Sequence, residues 1–98
     1  MANQVKVKIK FFTTLREITG KKEEIADLVD GTNVSDLLRF LSIRYGEAFA
    51  KYMYDEKTGV HNYLQILVNG NSITTLKELE TQLKDGDTLA IIPPVGGG

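Results

Sequence analysis

From Val5 to Phe11 apolar and basic residues alternate without a break, setting Val5, Val7, Ile9 and Phe11 on one side and Lys6, Lys8 and Lys10 on the other. A period of two predicts a half-buried strand of the antiparallel type. Leu15-Arg16-Glu17-Ile18-Thr19-Gly20 reads as a loop or short turn closing at Gly20, and a weaker second strand follows over residues 24–28. The two strands predict an opening hairpin. Asp30-Gly31-Thr32-Asn33 offers turn and N-cap chemistry, after which Val34, Leu37, Leu38, Leu41 and Tyr45 recur at helical spacing until Gly46 supplies a C-cap. That spacing predicts one amphipathic helix. Residues 47–54 extend as a shorter helix and 55–59 form a polar turn. Residues 64–68 predict a strand, and Asn69-Gly70, a strong hairpin dipeptide, leads into Ser72-Ile73-Thr74. A helical turn near 76–79 and the turn Asp85-Gly86-Asp87 precede a last strand over 88–92.

The order strand, strand, helix, strand, short strand, strand predicts an α+β domain in which a mixed sheet of about five strands packs one face on one main helix. That order is the β-grasp, or ubiquitin-like, arrangement. It places the first and last strands side by side in the centre as a parallel pair, with the C-terminal residues leaving the sheet edge as a flexible tail. The expected division is a domain over residues 1–92 and a tail over 93–98. With 98 residues and 42% apolar content there is material for a single modest core. No internal repeat, linker or low-complexity segment is present.

Charge and cysteine usage narrow the function classes. Twelve basic residues nearly cancel 13 acidic ones, so a formal charge of -1 creates no general field for nucleic acid or an anionic membrane. Any partner must be recognised by a local surface. Cysteine is absent, which removes a disulfide framework, a thiolate metal site, a cysteine nucleophile and a persulfide carried on the protein. Residues 1–10 lack the apolar core of a signal peptide and no apolar run approaches a membrane span, so the expectation is a soluble, cytoplasmic protein.

The final six residues, Pro93-Pro94-Val95-Gly96-Gly97-Gly98, carry the most specific chemistry. Two prolines cannot donate ladder hydrogen bonds and favour an extended chain, so they stop the last strand and direct the tail away from the body. Six extended residues reach roughly 20 Å. Three glycines without Cβ atoms let the backbone pass through a channel too narrow for side chains, leaving an unhindered terminal carboxylate. A glycine-rich end is, for an arbitrary protein, more often a frayed terminus or a cloning scar. A scar would not place a Pro-Pro stiffener directly after the last strand of a β-grasp order.

The chain resembles the small subunit of molybdopterin synthase, within the wider group of β-grasp sulfur carriers. The resemblance rests on Val7-Lys8-Ile9-Lys10-Phe11-Phe12 followed by Leu15-Arg16-Glu17, the helix from Val34 to the Gly46 cap, and Val68-Asn69-Gly70. It continues in Leu83-Lys84-Asp85-Gly86-Asp87 and in the tail, whose last pair of glycines, Gly97 and Gly98, matches the family's terminal pair. It implies that Gly98 is the reactive residue. A partner adenylating enzyme, of the ubiquitin-activating kind, consumes ATP to make an acyl-adenylate, a sulfur donor converts it to a thiocarboxylate, and that sulfur attacks a pterin precursor inside the large synthase subunit. Two cycles build the dithiolene that holds molybdenum or tungsten. The carrier is then a non-catalytic, sulfur-donating subunit that binds no cofactor of its own. Transition-state stabilisation comes from its partners. A ubiquitin-like modifier joined through Gly98 to target lysines, or a carrier for thiamine synthesis or tRNA thiolation, would use the same tail.

Partner binding falls on the tail residues Pro93, Pro94, Val95, Gly96 and Gly97 and on a patch beside them. Phe12 breaks the alternation by falling on the lysine side, and Leu67 and Ile92 lie out of phase with Ile66 and Ile91. Such residues signal a sheet covered on both faces, isolated exposed side chains, or a patch that docks the activating enzyme and the large subunit. Phe12 and Ile92 are the stronger candidates, Leu67 the weaker. Arg16, in the loop after the first strand, is a candidate ion-pair partner for the same surface, weighed against a solvated arginine beside Glu17. His61 has no second ligand at useful spacing, and Asp85-Gly86-Asp87 lacks the other positions of a calcium loop. No metal site is expected.

Overall fold

The structure is a computed structural model, and it describes residues 3–61 and 63–93. The expected alternation is realised in β1 (Gln4–Phe11), whose even positions face outward and whose odd positions enter the core. A short helix, α1 (Thr14–Thr19), occupies the stretch read from sequence as a loop. Its C-terminus is closed by Gly20 in the left-handed conformation (φ 75°), whose N–H donates to the Arg16 carbonyl at 2.8 Å. β2 (Glu23–Val29) returns antiparallel to β1, with Val7 opposite Ala26 and Lys10 opposite Glu23.

The main helix, α2 (Val34–Tyr45), begins at a capping box. The Asn33 side chain accepts from the Asp36 N–H at 2.8 Å, and the Asp36 carboxylate accepts from the Asn33 N–H at 3.3 Å. Val34, Leu37, Leu38 and Leu41 form its buried stripe. Gly46 ends it, and α3 (Glu47–Met53) follows, burying Phe49 and Met53. The polar segment 55–59 turns inside a small hairpin, β3 (Tyr54–Asp55) with β4 (Gly59–Val60), that lies outside the main sheet.

β5 (Gln65–Val68) and β6 (Asn71–Ser72) flank the Asn69-Gly70 turn. Both turn residues adopt positive φ, 52° and 84°, the conformation that a tight hairpin of this hand demands. Two 3-10 turns, Ile73–Thr75 and Glu78–Glu80, lead to β7 (Thr88–Ile92). The five-stranded sheet has the order β2-β1-β7-β5-β6. β7 runs parallel to β1, pairing Ile9 with Leu89 and Phe11 with Ile91, and antiparallel to β5, pairing Leu67 with Ala90 and Gln65 with Ile92. This is the β-grasp arrangement, with the expected central parallel pair.

One core joins Val5, Val7, Ile9 and Phe11 to Leu37, Leu38, Leu41, Phe49, Leu89 and Ile91. Glu24, on the core side of β2, ties the end of α2 to the sheet edge: Arg44 lies 3.0 Å from its carboxylate and the Tyr45 hydroxyl donates to it. The opposite side of the sheet carries exposed or half-buried side chains, so of the three readings for out-of-phase apolar residues, a sheet covered on both faces does not hold among the described residues. No helix among them is long and apolar enough to cross a membrane.

Candidate partner-docking site at the tail root

The parallel pair sets the site. Phe11 and Ile91 are its last paired residues and both are fully buried. Continuing that register by one step puts Phe12 beside Ile92, both half-buried and both on the uncovered face. Pro93 follows, also half-buried. The remaining tail candidates, Pro94, Val95, Gly96, Gly97 and Gly98, the last expected to be the reactive residue, lie outside the described residues.

Arg16 joins this corner by a route the sequence did not disclose. It stands on α1 rather than in a loop, because Thr13 turns the chain sharply (φ 46°) directly after Phe12 and lets the Leu15 N–H donate to the Phe12 carbonyl at 3.0 Å. Leu15 then anchors the helix in the core. One turn of helix carries Arg16 back over β1, where its Nε donates to the Phe11 carbonyl at 2.9 Å and its guanidinium carbon lies 5.5 Å from the centre of the Phe12 ring. The cation and the ring attract one another and fix the ring's pose. Arg16 remains exposed, as the solvated reading has it, while its guanidinium lies against the Phe12 ring.

Leu67, the weaker sequence candidate, is half-buried opposite Ala90, on the same face as Ile92 and two residues from Gln65. The strip Leu67, Ala90, Ile92 and Phe12 is therefore continuous. Ala90 was not singled out in the sequence, because a small residue at an outer position gives no break in pattern; only the register of β7 between β1 and β5 reveals it.

Two other candidates resolve into structure. Both carboxylates of Asp85-Gly86-Asp87 hold backbone: Asp85 accepts from the Lys6 N–H at 2.8 Å, and Asp87 from the Lys84 N–H at 2.8 Å and the Asn69 side-chain amide at 2.8 Å. His61 stacks on Tyr63, with ring centres 4.7 Å apart and planes 16° from parallel, and its N–H donates to the Met53 carbonyl. Among the described residues no cluster of three or more His, Asp or Glu side chains is arranged to hold a metal. Among the described residues the corner offers apolar contact area, an aromatic ring under a guanidinium and positive charge.

The strand order and the helix packed on the sheet define a β-grasp domain of the ubiquitin-like class. The sequence matches the ThiS family over residues 9–98, and the chain belongs to that family. It is 32% identical over 96% of its length to small archaeal modifier protein 3 of Haloferax volcanii, all of which is covered. It is 34% identical, again over 96% of its length and the whole of the relative, to the molybdopterin synthase sulfur carrier subunit of Chlamydomonas reinhardtii. Among solved structures it superimposes on a chain of the Amycolatopsis orientalis BexX/CysO complex with a TM-score of 0.75 and 30% identity, covering 94% of this chain and 99% of that one. The protein stands among the ubiquitin-like sulfur carriers, close to those of molybdopterin synthase.

Proposed function

We propose that this protein carries sulfur for molybdenum or tungsten cofactor synthesis as the small subunit of molybdopterin synthase, with Gly98 as the reactive residue. The observation that carries the reading is the convergence of Phe12, Ile92 and Pro93 at the end of the parallel pair from which the Pro-Pro-Val-Gly-Gly-Gly segment departs. A docking face at the tail root lets a partner hold the domain while the tail reaches roughly 20 Å into an active site. An adenylating enzyme joins the Gly98 carboxylate to AMP, releasing pyrophosphate from ATP. A sulfur donor displaces AMP, leaving a thiocarboxylate, which is anionic at neutral pH and a stronger nucleophile than the carboxylate it replaces. In the large synthase subunit that sulfur attacks the pterin precursor, and water returns the carrier to its carboxylate. Phe12, Ile92 and Arg16 serve the docking of both partners, and Pro93, Pro94, Val95, Gly96 and Gly97 thread the tail.

The relationship to the Chlamydomonas carrier subunit supports this pathway, and the BexX/CysO complex supports a working form bound to a partner protein. Relationship to a small archaeal modifier favours one second reading, in which activated Gly98 ends in an isopeptide bond to a target lysine. A pull-down from the native host separates them. Recovery of a large synthase subunit, together with intact carrier bearing one oxygen-to-sulfur exchange at Gly98, is expected. Abundant Gly98-to-lysine conjugates with no such subunit would transfer the assignment to the modifier.

A further inference from the structure

Of the three lysines on the outer side of β1, two are already occupied. Lys6 Nζ lies 2.8 Å from Asp27 and Lys8 Nζ 3.7 Å from Glu23. Lys10 is exposed and forms no ion pair or side-chain hydrogen bond among the described residues. The acid directly across from it in the register is Glu23, which is engaged by Lys8. On its other side lies Ala90, then Leu67, and the outer positions of β7 and β5 are Thr88, Ala90, Ile92, Gln65 and Leu67, with no charge among them. Lys10 is thus a cation on the margin of an uncharged strip whose neighbours offer it nothing.

We infer that Lys10 is a specificity-determining contact of the docking face, taken by a carboxylate of the protein partner; this rests on the reading of that face given above. A partner that covers Ala90 and Ile92 also strips water from the Lys10 ammonium. An unpaired buried charge is costly, and pairing restores what desolvation removes. The fitting partner therefore presents an apolar recess for Phe12 and Ile92 and an Asp or Glu about 8 Å away from the recess, the diagonal set by one strand spacing and two residues along the strand. A partner with a lysine or arginine at that place is rejected, so the same residue selects as well as attracts. The neighbouring guanidinium of Arg16, held at the Phe11 carbonyl, adds to the positive field at this corner.

The test uses the host's adenylating enzyme, the partner shared by every sulfur-transfer pathway open to this carrier. Association and dissociation rates are measured by biolayer interferometry for the full-length chain, Lys10→Gln, Lys10→Glu and Ile92→Asp, from low salt to about 0.5 M, where charges beyond a few ångströms are screened. Lys10→Glu is expected to slow association about tenfold at low salt, an effect that fades as salt rises, and to speed dissociation at every salt concentration because the desolvated pair is screened little; Lys10→Gln does less of both. Because the Lys10 side chain is exposed and holds no ion pair or hydrogen bond among the described residues, melting temperatures should match the parent. If Ile92→Asp weakens binding but Lys10→Glu associates like the parent at every salt concentration, the Lys10 assignment falls while the docking face stands. If Ile92→Asp binds like the parent, the face itself is misassigned and Lys10 with it. A Lys10→Glu effect confined to association, with parental dissociation at every salt concentration, would mark long-range steering without a paired contact and also overturn the proposal.

Discussion

Phe11 and Ile91 sit side by side at the end of the parallel junction between the first and last strands, and both are wholly buried. Fixing that pair fixes the next residue in each strand, Phe12 and Ile92, on the opposite face. The core and the proposed docking corner are therefore one register read on its two sides. A slip of one residue in β7 would expose Ile91 and bury Ile92.

Changes on the two sides should separate stability from binding. Leu89→Ala, at a fully buried position, is expected to destabilise the fold by about 2–5 kcal/mol. Phe12→Asp or Ile92→Asp should cost much less in a denaturant melt, yet weaken binding to the large synthase subunit by about 2 kcal/mol or more, some thirtyfold. Equal losses in both assays for Ile92→Asp would show that this residue is packing rather than docking.

Removal of residues 95–98 should leave the thermal midpoint of the body almost unchanged. Every core residue of the described structure lies at or before Ile91, so the core is closed without the tail. A fall of several degrees in the truncated chain would mean that the tail contributes to the fold.

The capping box makes a separate claim. Asn33→Ala removes the acceptor for the Asp36 N–H at the start of α2, and the expected loss is about 1 kcal/mol. Asn33→Asp preserves the acceptor and should recover most of it, whereas equal losses in both variants would show that the acceptor at this cap is not the source of the effect.

In the β3–β4 hairpin the Asp55 carboxyl is held below its ordinary value near 3.8, first by the Lys57 backbone N–H at 2.7 Å and then by that of Thr58. A lowered folded-state value means that the ionised form stabilises the folded turn. That contribution is complete above the ordinary carboxylate value and is lost as pH falls through the lowered one. A carbon-detected titration should place the Asp55 midpoint below 3.8, and Asp55→Asn should flatten the acid side of the hairpin's melting curve. A midpoint at or above the ordinary value would contradict these backbone bonds.

Elements with long, regular periods were legible in the sequence. The alternation of β1, the spacing from Val34 to Tyr45 and the Asn69-Gly70 turn each carry a local signal strong enough to survive packing. α1 was not legible, since six residues with Leu15 and Ile18 as their only apolar members give no period to count. The same holds for β3 and β4, two residues each, whose pairing is visible only once α3 has placed Tyr54. At the site, Phe12 and Ile92 could be read because each breaks a pattern. The Arg16 clamp could not, because it depends on the backbone turn at Thr13, a conformation that threonine seldom adopts and that no neighbouring residue announces.

The strand order also bears on how the carrier is made. β7 comes last in chain order among the described strands, yet it occupies the middle of the sheet, between β1 and β5. A nascent chain lacking Thr88–Ile92 has no centre on which β1 and β5 can close, and no Ile92 to stand beside Phe12. The middle of the sheet is thus supplied from far along the chain, and a cut before residue 88 would remove at once the strand that joins the two halves of the sheet and the residue that stands beside Phe12.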